Sequence, residues 1–267
     1  MNNQVKNVIY EEYDNITWLS LNRPKKLNAL NYPLLTEMIK ILKNLSKRKD
    51  IRLIVISGKG KAFSSGDDMV SMGPEGPRFK PLDDDSKLPH HKVLRLIREI
   101  NKPVIAMIQG YCLGAGFELA LSCDLRLASS NLVIGDHRTQ RAQCVMSGAS
   151  WLLPRIIGFG RASEIILTGR HLDANEALKI GLVTEVFDEI EFNDRAKEYI
   201  SKIAKLPTKC LGYDKIMLNY SQINPFSPSL DYEFRLYCKN IATCDFGEGM
   251  RSFMEKENQN SLENKEY

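Results

Sequence analysis

Apolar positions in the first half of the chain alternate between short continuous runs and stretches with helical spacing. Residues 8–13 and 16–22 are rich in β-branched and aromatic side chains, with Asp14-Asn15 between them, the composition of a β-hairpin. Over residues 32–46, Leu34, Leu35, Met38, Ile39, Leu42 and Leu45 recur at helical spacing and predict an amphipathic helix. The unbroken apolar runs at 53–57 and 103–108 read as strands buried on both faces, with a helix at 92–100 between them. Residues 110–116 read as a glycine-rich turn into a helix at 117–123. Recurring strand, glycine turn and helix predict βαβ units and a mainly parallel sheet, an α/β fold. From about Arg161 the spacing becomes helical, with helices expected at 162–168, 175–180, 194–206, 209–220, 232–238 and 247–256. The expected organisation is an α/β core over 1–195, a helical module over 196–256, and a disordered tail over 257–267, rich in Asn, Glu and Lys. Residues 72–88, with Pro74, Pro77, Pro81 and the acidic triplet Asp83–Asp85, read as a mobile solvated loop, open to use as a lid.

Composition narrows the class. At 267 residues, 43% hydrophobic and 26% charged, the chain has the makeup of a globular protein with one sizeable core. No apolar run approaches membrane-spanning length, and the opening MNNQVKNVIYEEYD carries acids where a signal peptide needs an apolar segment. A cytoplasmic location is the expectation. Six cysteines (Cys112, Cys123, Cys144, Cys210, Cys238, Cys244) show no metal-ligand spacing and read as reduced thiols, mostly core fillers. The net charge of +4 suits a small anionic ligand or an ordinary mixed surface. Lysines at 40–49 and in the tail interleave with acids or helix-spaced apolar residues, which argues against a nucleic-acid surface.

Two segments carry candidate chemistry: Lys61-Ala62-Phe63-Ser64-Ser65-Gly66-Asp67-Asp68-Met69 and Gly110-Tyr111-Cys112-Leu113-Gly114-Ala115-Gly116-Phe117-Glu118. Each runs from a strand through a small-residue turn into a helix start, where N–H groups lack intrahelical acceptors and the helix dipole adds positive potential. Two such N–H groups aimed at one oxygen would form an oxyanion hole; the same glycines would also serve tight packing alone. Glu118, in the first turn of the second helix, is either an acid complementing the dipole or a carboxylate that moves a proton.

The run NRPKKLNALN (22–31), AFSSGDDM (62–69), KPVIAMIQGYCLGAGFELALSCDLRLAS (102–129), AxxxGLV (177–183) and EGMRSFMEK (248–256) together resemble the enoyl-CoA hydratase/isomerase (crotonase) superfamily, in order and over nearly the whole chain. The resemblance implies a spiral of ββα repeats, a helical C-terminal trimerisation module, and a homotrimer or a hexamer of two trimers. It implies an enzyme that stabilises the enolate of an acyl-CoA thioester; coenzyme A enters as part of the substrate, with no separate cofactor and no metal. Its oxyanion donors fall on the backbone of Asp67 and Ala115, the second a departure from the family's usual glycine. Coenzyme contacts fall on Lys26, Ala29, Leu30, Ala62, Ser64, Gly66 and Asp68, with Phe253 and Lys256 reaching from a neighbouring subunit. Glu118 matches the first of the family's two hydratase glutamates.

The second glutamate does not match. That segment reads Gly135-Asp136-His137-Arg138, which puts Arg138 at the acid's place, and an arginine does not donate a proton near neutral pH. Downstream, Ser147 stands where some isomerases carry an aspartate. Three readings are open: Arg138 pairs with Glu118 or Asp136 or grips an anionic acyl group, His137 transfers a proton, or the segment is a plain loop with ordinary salt bridges. Against hydration or isomerisation stand two alternatives: hydrolysis or other enolate chemistry on an unusual acyl group, and a non-catalytic acyl-CoA-binding or RNA-binding member.

Overall fold

The computed structural model describes residues 6–72 and 88–263, the side chains of 71–72 and 256–263 excepted. The loop expected at 72–88 therefore lies almost wholly outside the described residues. The chain forms two compact units, Met1–Ala204 and Lys205–Tyr267.

In the first unit the elements run β1 (Val8–Tyr13), β2 (Ile16–Leu21), α1 (Tyr32–Leu45), β3 (Leu53–Gly58), β4 (Ala62–Ser64), α2 (Met69–Met72), α3 (Pro89–Glu99), β5 (Val104–Ile108), β6 (Tyr111–Leu113), α4 (Ala115–Ser122), β7 (Leu125–Ser129), β8 (Val133–Gly135), α5 (Ala149–Ile157), α6 (Phe159–Thr168), β9 (His171–Asp173), α7 (Ala174–Lys179), β10 (Glu185–Phe187) and α8 (Phe192–Ala204). One sheet has the order β1-β2-β3-β5-β7-β10, parallel from β2 onward; a smaller one has the order β4-β6-β8-β9. In the pairs β3–β4, β5–β6 and β7–β8, the first strand joins the large sheet and the second the small one. Helices follow each pair, so the chain winds as a spiral of ββα turns.

Alternation along the large sheet divides the core. Ile54 and Ile56 of β3 face the main cluster with Leu34, Leu35, Met38, Val93, Ile97 and Phe117. Leu53 and Val55 face the other way, under Phe192, Ala196, Ile200 and Ala204 of α8. Strands buried on both faces need continuous apolar runs, which is why they were legible. Asn31 caps α1 by accepting the Leu34 N–H at 3.0 Å.

Several expectations need correction. The boundary placed at 195 falls inside α8, whose apolar stripe belongs to the first unit's core, so the division lies after Ala204. The turn at 110–116 contains β6, and α4 starts at Ala115, not Phe117. Of the six free cysteines only Cys112 and Cys123 are buried; Cys144, Cys238 and Cys244 are exposed and Cys210 lies between. Core filling describes two of them.

The second unit contains α9 (Thr208–Ser221), α10 (Phe226–Ile241) and α11 (Cys244–Glu263). Tyr220 and Tyr232 stack with ring centroids 4.2 Å apart. The backbone is helical through Glu263, well into the tail expected to be disordered; 264–267 lie outside the described residues. Along α10, Phe226, Leu230, Phe234, Tyr237 and Ile241 recur every three or four residues, and all are exposed. Among the described residues, no helix is long and apolar enough to cross a membrane.

Candidate active site

The two small-residue turns meet at the ends of β4 and β6, neighbouring parallel strands of the small sheet. A Cβ added at Gly116 would lie 2.6 Å from Ser64 Cβ and 2.8 Å from Ser64 O, so the approach of the two turns requires glycine there. Gly114, just before α4, has φ +53°, ψ −120°, a conformation suited to glycine. It lets the chain enter α4 at once, so the Ala115 N–H belongs to the first helical turn, which has no intrahelical acceptor. Alanine at 115 keeps that N–H, because Ala115 opens the helix.

The segment 22–30 is stapled to the first turn. Buried Asn28, at φ +54°, accepts from the Arg23 N–H at 2.9 Å and donates to Lys59 O at 2.9 Å and Ala62 O at 2.7 Å. Leu30 pairs with the turn through its N–H to Gly66 O, 2.7 Å, and through the Asp68 N–H to its own carbonyl, 3.0 Å. Ser64 Oγ donates to Asn28 O at 2.9 Å and accepts the Gly66 N–H at 3.2 Å. Asp68 pairs with Arg23 at 2.7 Å, and Asp67 with His90 Nε2 of α3 at 3.1 Å.

Thus the structure brings Lys26, Ala29, Leu30, Gly66, Asp67 and Asp68 into one region beside Ala115. Lys26 is exposed; Ala62 and Ser64 are fully buried and act within the turn. Phe253 is exposed on α11 of the second unit, and the Lys256 side chain lies outside the described residues. Arg23, Asn28 and His90 were not singled out from sequence.

Glu118 is fully buried. Its Oε1 accepts the N–H groups of Met146 (3.2 Å), Ser147 (2.7 Å) and Ala149 (3.4 Å), a cup at the start of α5, and pairs with Arg138 Nη2 at 2.9 Å. Gly148, at φ +95°, turns those amides inward. Oε2 has no hydrogen-bond partner among the described residues.

Arg138 is itself clamped. Its Nε donates to both oxygens of Asp136 at 2.9 and 3.1 Å, its N–H to Oδ1 at 3.1 Å, and Nη2 pairs closely with Oδ2. Burial pulls its pKa down, but the bonds to Asp136 and the charge of Glu118 outweigh this and hold it above its ordinary value. Of the three readings for this segment, the geometry realises pairing with both carboxylates. His137 packs edge-on against His171 of β9, centroids 5.5 Å apart. Burial first, then Arg141 and His171, push its pKa below 6.5. The amide cup is built of main-chain groups and leaves no side-chain trace in the sequence.

Residues 11–263 match the enoyl-CoA hydratase/isomerase family. The short-chain-enoyl-CoA hydratase of Clostridium acetobutylicum is 32% identical over 267 residues, covering 98% of this chain and 100% of that protein. The crotonyl-CoA hydratase of Syntrophomonas wolfei is 32% identical over 262 residues, covering 96% and 98%. The crystal structure of an enoyl-CoA hydratase from Thermoplasma volcanium superposes with a TM-score of 0.87 at 31% identity, covering 94% of this chain and 99% of that one.

Two outcomes follow. Arg138→Met strips the cation from two buried carboxylates and should cost about 3–5 kcal/mol in urea unfolding; a cost under about 1 kcal/mol would contradict the clamp. His137, held neutral by a lowered pKa, lets protons bind more readily to the unfolded chain. Stability is therefore full above about pH 6.5 and falls as pH drops below it. Melting curves of His137→Gln should fall less steeply from pH 7 to 5 than those of the wild type; parallel curves would contradict the shift.

Proposed function

The chain belongs to the enoyl-CoA hydratase/isomerase family, and from that membership we propose an acyl-CoA enzyme in which the Asp67 and Ala115 N–H groups hold the thioester oxygen and Glu118 alone moves the proton. The carrying observation is Glu118 Oε2, buried and unpartnered among the described residues, one turn of α4 beyond the Ala115 N–H. With Oε1 filled by four donors, Oε2 is the oxygen open to a reacting group.

Charge that develops on the thioester oxygen as the enolate forms would be met by two fixed dipoles, which need no reorganisation during reaction. Among the described residues no second acid faces Glu118 free to support the proton transfer: Arg138 stands at that place and Asp136 is bound to it. One carboxylate must then both take and return the proton. In hydration, Glu118 takes a proton from water as its oxygen bonds to C3, then returns it to C2 as the enolate collapses. In isomerisation, the same oxygen carries a proton from C2 to C4 or back. Lys26, Ala29, Leu30, Gly66 and Asp68 would line the coenzyme's path into this site.

The exposed apolar stripe on α10 supports a trimer, or a hexamer of two trimers, with Phe253 and Lys256 of one subunit reaching the coenzyme of the next. Light scattering at micromolar concentration should report three or six chains; a monomer would overturn the assembly.

Glu118→Gln keeps shape and removes the base. Crotonyl-CoA hydration and 3-enoyl-CoA isomerisation, whichever the wild type performs, should fall roughly 10²–10⁴-fold in kcat, while calorimetry still detects acetoacetyl-CoA binding. Undiminished turnover would remove Glu118 from the chemistry, and lost binding would place the thioester's main contacts elsewhere than on backbone amides.

A further inference from the structure

On the side of the large sheet that α8 covers, the strands end in polar residues. Ile16 and Trp18 are followed on the same face by Ser20, Leu53 and Val55 by Ser57, Ile105 and Met107 by Gln109, and Leu127 by Ser129. These strands are parallel, so the polar ends share one edge. α8 lies over the apolar part, and its first residues, Phe192 and Asn193, meet Gln109 and Ser129 at the polar end. Two cavities open there, of about 320 and 420 Å³. They share Gly60, Gln109 and Asn193 and so form one cleft, within the first unit and on the face of the sheet opposite α4.

One hydroxyl in the cleft is unspent. Ser129 is 0% exposed, and its Oγ has no hydrogen-bond partner among the described residues. The polar groups around it are engaged: Ser130 Oγ accepts the Glu189 N–H at 3.0 Å, Asn131 Nδ2 donates to Glu189 at 2.6 Å, and Gln109 Nε2 donates to Gly60 O at 3.2 Å. A buried polar atom left unpaired costs stability, so its retention marks a place for a ligand atom. At the far end of the cleft Trp18 Nε1, a group that only donates, is likewise buried without a partner, its ring stacked on Tyr13 at 5.1 Å. Lys59, Lys61 and Lys197 outnumber Glu11 and Glu189 along the lining. The first N–H groups of α8 have no intrahelical acceptor, and the positive end of the helix dipole lies at the cleft.

We propose that this cleft binds a phosphoryl group at the α8 N-terminus, between Ser129 Oγ and Lys61, either as free orthophosphate or as the phosphate of a nucleoside monophosphate. Unspent donors, surplus lysines and a helix start together select a group that accepts hydrogen bonds and carries negative charge. The donors converge from a strand, a loop and a helix, which suits the tetrahedral oxygens of a phosphoryl group better than the two coplanar oxygens of a carboxylate. Trp18 and Ser129 stand on β2 and β7, three strand intervals or roughly 14 Å apart, leaving the length of the cleft for a nucleoside. The site does not rest on the acyl-CoA reading and lies on the other face of the sheet from Glu118.

Calorimetry on the full chain, with and without saturating acetoacetyl-CoA, tests it with orthophosphate, adenosine monophosphate, adenosine and acetate. Orthophosphate and the nucleotide should bind in both conditions, and acetate more weakly than either. Ser129→Ala removes only an unpartnered oxygen, so its melting temperature should hold while affinity for both phosphates drops roughly tenfold, the effect of one buried charge-assisted hydrogen bond. Lys61→Met, a change at the exposed rim, should weaken both and flatten their salt dependence. Tighter binding of the nucleotide than of orthophosphate, with the difference lost in Trp18→Leu, would identify a nucleotide site; equal affinities, with no binding of adenosine, would identify a site for free phosphate. No binding of either phosphate, affinity unchanged in Ser129→Ala, or acetate bound as tightly would overturn the proposal. Displacement by acetoacetyl-CoA would overturn it as well, by assigning the phosphate contacts to the coenzyme's own path.

Discussion

Burying the Glu118 side chain is the constraint around which the rest of the site is arranged. A carboxylate taken out of water without compensation would cost several kcal/mol. Here three amides and a guanidinium supply that compensation, and each comes from a different part of the chain than α4. The small sheet makes this possible. β6 and β8 are parallel neighbours, so α4 and the Asp136–Arg138 clamp leave adjacent strand ends together, joined by the Gly114 N–H to Gly135 O bond of 3.1 Å. The amide cup then enters from the start of α5.

The side of the site formed by the two turns depends on backbone, not charge. Asn28 uses both ends of its amide to fasten the 22–30 segment to the first turn, and Gly116 lets the second turn close against Ser64. Side chains in this region mostly bond to their own neighbourhood: Ser64 to Asn28, Asp68 to Arg23, Asp67 to His90. The division of labour is clear in physical terms. Main-chain N–H groups sit at the turns, while the buried Glu118 carboxylate lies one helical turn away in a closed polar cluster.

Legibility in the sequence followed the same division. The buried strands 53–58 and 104–108 announced themselves because both faces are covered, and Glu118, Asp67 and Ala115 lay in segments whose resemblance to a family is dense. The short strands β6 to β10 were missed, since three to five residues carry no periodicity and their pairing is set by the spiral. α5 was missed too, because nothing local distinguishes it from a loop. Arg138 could be flagged as a departure from the family, but its choice among three roles needed coordinates, as the partners Asp136 and Glu118 are 2 and 20 residues away. The cup at 146–149 is made of amides, which every residue but proline possesses.

That last property bears on how such a pocket changes over generations. The amides that pin Glu118 make no demand on the side chain at 146, which is exposed, whereas Ala149 is fully buried in the core. Mutation at 146 can therefore alter what this stretch presents to its surroundings without moving the Glu118 carboxylate. Proline, loss of the glycine at 148, or a larger side chain at the buried position 149 would break the arrangement. Change of the exposed side chain at 146 and retention of the setting of Glu118 are in this sense decoupled.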